Sequence, residues 1–145
     1  MRKISIVVSI VFLTIMSCNS TKTANSKMSS IEGTWELNYI TGPRIAFDGL
    51  FPNKKPTVNF DLKENRVSGN NSCNSYTGKL NIDGNKINFS GPMAVTKMMC
   101  VDGMQGETTY METLQKVDSY SISENGKVLI FMMGDTMMMR FDKKM

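Results

Sequence analysis

The N-terminal segment decides which part of this 145-residue chain is available to fold. Arg2 and Lys3 precede an apolar run over residues 4–15, and the small residue Ser17 closes the segment. A run of about 12 apolar residues is too short for a membrane-spanning helix, which needs roughly 20. A charged start, a short apolar core and a small last residue are typical of a secretory signal peptide. We therefore expect residues 1–17 to be absent from the mature protein, with an uncleaved signal anchor as the alternative.

The next residue is Cys18, and Ile15-Met16-Ser17-Cys18 resembles the lipobox of bacterial lipoproteins. In such signals the cysteine thiol receives a diacylglycerol and becomes the new N-terminus after cleavage. The resemblance implies lipidation at Cys18 and attachment to the bacterial cell envelope. We expect the outer membrane, on its periplasmic side, to carry the protein.

The mature chain is expected to consist of a tether and one domain. Residues 18–30 are the lipidated cysteine and a stretch with too little apolar surface to form a core, so they are interpreted as disordered. Residues 31–145 are long enough for one hydrophobic core. The whole chain has 17 basic and 13 acidic residues, and losing Arg2 and Lys3 lowers the basic count to 15. An excess of two scattered charges gives no indication of nucleic-acid binding.

The cysteines form a natural pair once Cys18 is lipidated. Cys73 and Cys100 remain, in an exported and oxidising setting, and a disulfide between them is the leading interpretation. Closing this loop would stabilise the domain by on the order of 3 kcal/mol in the chain-entropy model. Two buried thiols or a reactive thiol are the alternatives. The chain has no histidine, which excludes catalysis of the Ser-His-Asp and Cys-His types.

Short segments of alternating apolar and polar residues predict antiparallel strands separated by turns. The one segment with helical spacing is Gly103 to Lys116, with Asp102 as the expected N-cap. The predicted fold is therefore mainly β (α+β), a compact antiparallel sheet or partly open barrel of about seven to eight strands with one amphipathic helix. The predicted strands cover residues 33–40, 57–62, 66–69, 76–82, 86–89 and 117–123 and a final hairpin, and residues 41–56 are expected to form a loop.

The final hairpin can be predicted residue by residue. A two-residue turn at Gly134-Asp135 pairs Met132 with Met137 and Ile130 with Met139. The opposite face is too apolar to meet only water, so we expect the helix, a partner or a ligand to cover it. The predicted core face carries Val128, Ile130, Met132, Met137, Met139 and Phe141, and the opposite face carries Leu129, Phe131, Met133, Thr136, Met138 and Arg140.

Cys73-Asn74-Ser75-Tyr76-Thr77-Gly78, preceded by Ser68-Gly69, resembles the central Gly-Cys-Asn-x-Tyr/Phe-x-Gly signature of the META/HslJ-like family. Gly33-Thr34-Trp35 is similar to its opening motif, and the segment 91–100 to its second signature. The signature positions are Gly33, Trp35, Gly69, Cys73, Asn74, Tyr76, Gly78, Thr96, Cys100 and Glu107.

The resemblance implies a compact antiparallel domain with one helix, an envelope role in stress tolerance or interactions, and no established enzymatic activity. Ser72 departs from the family signature, in which a glycine usually precedes the cysteine. A serine at this position makes a tight turn less expected.

Three signature residues have both a chemical and a structural interpretation. Cys73-Asn74 could be a nucleophile beside an oxyanion donor, but a disulfide cysteine and a turn-forming asparagine explain both residues. Thr96 could bind a ligand, although a backbone hydrogen bond explains its hydroxyl. Glu107 is interpreted as an acid in the first helical turn, with a functional contact as the alternative. We expect no catalytic residue.

Methionine is unusually abundant, and eleven of the fourteen methionines lie from Met93 onward. Core filling is the favoured explanation because the thioether chain adapts to irregular gaps. Binding of Cu(I) or Ag(I) and sacrificial oxidation are the alternatives. We expect a non-catalytic, lipid-anchored monomer that needs no metal or cofactor and binds an envelope protein or a small ligand. An inhibitor of an envelope-targeting hydrolase is a further alternative.

Overall fold

The computed structural model describes residues 31–100 and 102–145. The predicted signal peptide, Cys18 and the tether lie outside the described residues. Within them the chain forms one antiparallel half-barrel sheet of ten strands with two α-helices, which confirms the predicted class. The strands are β1 (Gly33–Ile40), β2 (Thr57–Asp61), β3 (Arg66–Asn70), β4 (Ser75–Lys79), β5 (Asn81–Asp83), β6 (Lys86–Asn88), β7 (Met93–Val95), β8 (Ser119–Ser123), β9 (Val128–Met133) and β10 (Thr136–Lys143).

The order of the strands in the sheet is β5-β6-β8-β9-β10-β1-β2-β3-β4-β7. The strand count exceeds the prediction because the predicted strand 76–82 is divided into β4 and β5 and because β7 was not predicted. The division falls at Leu80, whose side chain is buried and whose backbone N–H donates to the carbonyl of Asn65. The pairing partners change there, since β4 pairs with β3 and β7 whereas β5 pairs with β6, and alternation alone does not reveal such a change.

The helices are α1 (Phe47–Leu50) and α2 (Met104–Leu114). The short α1 falls inside the segment predicted as a loop. The N-cap of α2 is Gly103, without a side-chain cap, so the predicted cap at Asp102 is wrong. Gly106 allows α2 to lie against the end of α1, since a Cβ at Gly106 would overlap the carbonyl of Leu50 and the ring of Phe51. None of the described helices is long and apolar enough to cross a membrane.

The core combines buried side chains of the strands with Leu50 of α1 and with Tyr110 and Leu114 of α2. Phe131 is its centre, with ring centroids 5.0 Å from Phe141, 5.4 Å from Phe89 and 6.3 Å from Phe60. Trp35 is fully buried and donates from Nε1 to the carbonyl of Ile31 at 2.8 Å. This contact fixes the start of the domain on the core.

The β9–β10 hairpin has the predicted turn but not the predicted faces. Met133 pairs with Thr136 and Met132 with Met137, as expected for a turn at Gly134-Asp135. The register then shifts between Met137 and Met139, so Met139 faces Phe131 instead of Ile130. Leu129 and Phe131 of β9 are therefore fully buried, and the prediction that Ile130, Met132 and Met137 face the core is wrong. Val128, which was predicted on the core face, is buried.

The shift is a β-bulge at Met138, which adds one residue to β10. Both Met138 and Met139 are consequently buried, and Phe141 faces the core as predicted. Asp118, just before β8, stabilises the turn because its carboxylate accepts a hydrogen bond from the N–H of Gly134 at 2.7 Å. The same carboxylate accepts a hydrogen bond from the hydroxyl of Ser119, also at 2.7 Å. The bond from Ser119, followed by the bond from Gly134, lowers the pKa of Asp118.

Candidate functional site

Seven of the ten signature positions meet where the β3–β4 loop, β7 and α2 come together. We call the polar part of this region the signature cluster, and it consists of Asn71, Asn74, Thr96, Glu107 and the backbone of Met98. Asn74 is its centre and is only 3% exposed. Burial of a primary amide is costly unless its donors and acceptor find partners. The hydrogen-bond partners of Asn74 therefore show which segments of the chain the cluster holds together.

The side chain of Asn74 bonds with the extended segment after β7. Its Oδ1 accepts from the hydroxyl of Thr96 at 2.8 Å and from the N–H of Met98 at 2.7 Å. Its Nδ2 donates to the carbonyl of Met98 at 3.2 Å. One buried amide thus replaces the strand partner that this segment lacks, and it fixes the path of the chain towards Cys100.

Glu107 joins the same amide to α2. Nδ2 of Asn74 lies 3.1 Å from Oε2 of Glu107, and Nδ2 of Asn71 donates to Oε1 at 3.0 Å. Glu107 is indeed in the first turn of α2, but its carboxylate is directed at two asparagine amides. Bonds to an ionised acceptor are stronger than neutral ones, so this contact clamps the helix to the loop.

Asn71 belongs to the cluster although it is not one of the signature positions. It is fully buried, its Oδ1 accepts the N–H of Asn74 at 2.7 Å, and its own N–H donates to the carbonyl of Asn74 at 2.9 Å. The loop between Asn71 and Asn74 is therefore closed on itself. The sequence feature that could have predicted the role of Asn71 is the pair of asparagines directly before Ser72.

Cys73 and Cys100 are joined by a disulfide, with Cα atoms 5.9 Å apart. The disulfide ties the β3–β4 loop to the segment that leads into α2. Ser72 adopts φ of +89°, a left-handed conformation that glycine accepts without strain. The tight turn that the family's glycine implies is present here with serine in its place.

Beneath the polar cluster lies a buried pair of tyrosines. The hydroxyls of Tyr76 and Tyr110 are 2.7 Å apart, and that of Tyr76 lies 3.0 Å from the carbonyl of Thr57. Burial raises the pKa of both hydroxyls above the ordinary range, so the pair is neutral. Gly69 leaves room for it, because a Cβ there would overlap the carbonyl of Thr57 and lie 2.7 Å from the hydroxyl of Tyr76.

The remaining signature residues are placed differently. Gly78 packs against Met93 at the start of β7, where a Cβ would lie 3.0 Å from the Met93 side chain. Gly33 and Trp35 lie on β1, which β2 and β3 separate from β4. Gly33 has φ of +98°, and Nζ of Lys143 lies 4.8 Å above the Trp35 ring. The opening motif therefore starts the domain and does not join the signature cluster.

The signature cluster is chemically closed. The sulfur of Cys73 is in a disulfide, both faces of the Asn74 amide are bonded, and the Glu107 carboxylate accepts amide hydrogens on both oxygens. No group of three His, Cys, Asp or Glu side chains within residues 31–100 and 102–145 is arranged to hold a metal ion. The arrangement is suited to holding the loop, β7 and α2 together.

The disulfide-linked half-barrel is a small antiparallel β-domain. Comparison with known protein families shows which family it belongs to. The META domain model matches residues 26–145, and the chain belongs to the META domain family. This confirms the resemblance drawn from the motifs. No curated protein matches the chain.

Solved structures show the same fold at low sequence identity. A protein from Burkholderia xenovorans, solved by NMR, is 20% identical with a TM-score of 0.65, and the match covers 83% of this chain and 88% of that one. A DUF4847 family protein from Bacteroides vulgatus, solved by crystallography, is 14% identical with a TM-score of 0.55, covering 82% and 97%. These similarities concern the fold alone.

Proposed function

We propose that this META domain protein is a non-catalytic, lipid-anchored protein of the bacterial envelope that works by binding a partner. The observation that carries the proposal is the closed signature cluster. Its polar groups are used within the fold, so the residues that define the family hold the domain together and leave its outer surface for recognition.

The chemistry of the cluster argues against catalysis. A nucleophilic cysteine must be a thiolate, and Cys73 has no thiol to ionise while it is bonded to Cys100. An oxyanion donor must be directed at an open position, whereas Nδ2 of Asn74 points at the Met98 carbonyl and at Glu107. A general base must reach a substrate proton, and Glu107 already accepts hydrogens from two amides.

The proposed anchor is the lipid on Cys18. The described fold begins at Ile31, which is buried, so residues 18–30 span the interval between the proposed lipid and the domain. A disulfide is stable in the oxidising periplasm and rare in the cytosol, which supports export. The outer membrane, on its periplasmic side, is the proposed location.

Mass spectrometry on protein from native membranes tests anchor and disulfide together, with thiols alkylated before any reduction. We expect a mature chain that begins at lipidated Cys18 and in which neither Cys73 nor Cys100 is alkylated. A Cys18→Ala variant is the control and should retain residues 1–17 without lipid. Full-length wild-type protein with an alkylated Cys18 would contradict the anchor. Alkylated Cys73 and Cys100 would contradict the closed cluster.

Binding is tested separately in living cells. A photo-crosslinking residue is introduced at Tyr39 on β1, at Ile45 before α1 or at Met99 after β7, all of which are exposed. We expect a discrete crosslinked species from one position and none from the buried Leu129 as control. Monomeric protein at all three exposed positions would argue against a protein partner.

A further inference from the structure

Within the described residues the ten-stranded sheet ends at two edge strands, β5 and β7, each three residues long. The backbone N–H and C=O groups on the outer side of an edge strand have no partner strand, so a further strand can pair there. The chain after β7 continues beside the β3–β4 loop towards Cys100, whose disulfide joins it to Cys73 in that loop. We call residues 93–99 the β7 edge.

The even-numbered residues of the β7 edge direct their backbone groups into the domain. The N–H of Thr96 donates to the carbonyl of Ser75, next to β7 in the sheet, at 3.0 Å. Every second residue of an antiparallel strand bonds to the same neighbour, so Ala94 also bonds to β4. Met98 continues the alternation, because its N–H and its carbonyl both bond to the side chain of Asn74.

The odd-numbered residues Met93, Val95 and Lys97 therefore direct their backbone groups outward. Outside the β4–β7 ladder, the described part of the chain makes no backbone hydrogen bond to any of these three residues. Asn74 is what lengthens this edge, since its amide holds Met98 where β4 has already ended. Three successive outward positions form a template for one more strand.

The side chains beside this edge indicate which kind of strand fits. Val95 pairs with the buried Tyr76, and Met93 pairs with Gly78. Val95 and Met93 pack against the core but are only partly buried. An added strand would place every second side chain next to them, and apolar side chains there would extend the core. Lys97 is the one charged residue of the β7 edge, so a neutral or acidic strand complements it.

The opposite edge strand, β5, has a shorter template. Ile87 on β6 donates its N–H to the carbonyl of Asp118, away from β5, so the alternation leaves Ile82 as the outward residue of β5. The chain leaves this edge on both sides of Ile82. Leu80 is bonded to the β2–β3 turn, and Asp83 leads directly into the turn before β6. A strand added to β5 would meet one outward position instead of three.

We propose that the β7 edge binds an extended peptide segment of the protein partner, which joins the sheet as one more antiparallel or parallel strand. The segment is neutral or acidic and carries apolar side chains at alternate positions. Backbone hydrogen bonds provide the affinity in this mode of recognition, and the alternate side chains provide the specificity. A second copy of this chain complements the edge less well, because it would bring a second Lys97 to the same strand pair. This inference rests on the proposed function, since it names the surface that recognises the partner.

A proline substitution tests the edge through its backbone. Val95→Pro removes an outward N–H, and it keeps the ladder with β4 because that N–H is not part of the ladder. The probe is a displayed library of random peptides, selected on the full wild-type chain in detergent. The selected peptides should share alternating apolar residues, and they should bind Val95→Pro at least about 10-fold more weakly, since backbone hydrogen bonding is lost.

Two matched variants control for side chain and position. Val95→Ala keeps the N–H and should lose less affinity than Val95→Pro, and Ile82→Pro removes the outward N–H of β5 and should keep the affinity. Melting temperatures show whether each variant is folded. Hydrogen exchange on the wild-type chain is a second measurement, and peptide binding should slow the amides of Val95 and Lys97 but not that of Ile82. Failure to select any peptide, unchanged exchange, or equal binding by folded Val95→Pro would overturn the proposal.

Crosslinking in cells separates this inference from the proposed function. A photo-crosslinking residue at Ala94, which is exposed on β7, should give a discrete species that Val95→Pro abolishes. A species from Tyr39 or Ile45 that survives Val95→Pro would overturn binding at the β7 edge and leave the proposed function standing. A species made of two copies of the chain would replace the peptide by self-pairing. Monomeric protein at every position would contradict both proposals.

Discussion

The signature cluster and the β9–β10 hairpin are stabilised in opposite ways. In the cluster a few polar side chains each have specific partners at hydrogen-bond distance, with the Asn74 side chain bonded both to the segment after β7 and to α2. In the hairpin both faces are apolar, and a bulge at Met138 decides which residues reach the core. Specific polar chemistry can be recognised in a sequence motif. An apolar pattern with two possible faces cannot be resolved without the register.

The hairpin gives the largest expected effect. Phe131 is fully buried against three aromatic rings, so Phe131→Ala should lower the free energy of unfolding by about 4 kcal/mol, through lost burial and a cavity. Its neighbour Ile130 is only partly buried on the other face, and Ile130→Ala should cost about 1 kcal/mol. Urea unfolding of both variants measures the difference.

The pair is informative because the simple alternation of the sequence predicts the reverse order. A larger loss for Ile130→Ala than for Phe131→Ala would place Ile130 in the core and remove the bulge from the hairpin. Equal m-values in the two unfolding curves are needed for the comparison, since a changed slope would indicate a changed unfolded or folded state.

The disulfide gives the next effect. Cys73→Ser/Cys100→Ser opens a link across a sequence separation of 27 residues, and the chain-entropy model assigns such a link about 3.5 kcal/mol. We expect the double variant to unfold at correspondingly lower urea concentration. Wild-type protein in excess reductant is the control and should lose a similar amount. A double variant as stable as the oxidised protein would show that the hydrogen bonds of Asn74 hold the loop without the disulfide.

The sequence predicts features that depend on neighbouring residues better than features that depend on distant ones. Alternation predicts that Trp35, Leu37 and Tyr39 share the buried face of β1, and this is right for Trp35 and Leu37. It is wrong for Tyr39, because the register shifts between Leu37 and Tyr39, which leaves Tyr39 exposed and buries Ile40. Gly134-Asp135 predicts the turn of the last hairpin. The bond between Asn71 and Glu107 joins residues 36 positions apart. It exists because α2 packs over the β3–β4 loop, and no local pattern contains that approach.

Two further differences have the same origin. The N-cap of α2 is Gly103 rather than Asp102, and the Cβ position of Gly103 lies 3.9 Å from Cβ of Cys100, which is held in the disulfide. The short β7 pairs with β4 through only three residues, Met93 to Val95, too few to give a clear alternation. Tertiary contacts override local preference in both places.

The clamp between the loop and α2 gives a smaller effect. Glu107→Gln removes the charge that strengthens the bonds from Asn71 and Asn74, and it should cost about 1.5 kcal/mol. Glu112 is an exposed acid on the same helix, and Glu112→Gln should change stability by less than about 0.5 kcal/mol. Equal effects of the two substitutions would mean that the clamp contributes only through net charge.

The smallest expected effect is a gain in stability at Ser72. Its φ of +89° is costly for a residue with a Cβ and ordinary for glycine. Ser72→Gly should therefore raise the free energy of unfolding by about 0.5 kcal/mol, since relief of strain in the folded state exceeds the added entropy of the unfolded chain. Ser75→Gly, in the regular strand β4, is the control and should lower stability because no strain is relieved there. A loss of stability at both positions would show that the loop between Asn71 and Asn74 accommodates serine without strain, and that the cluster gains nothing from the family's glycine.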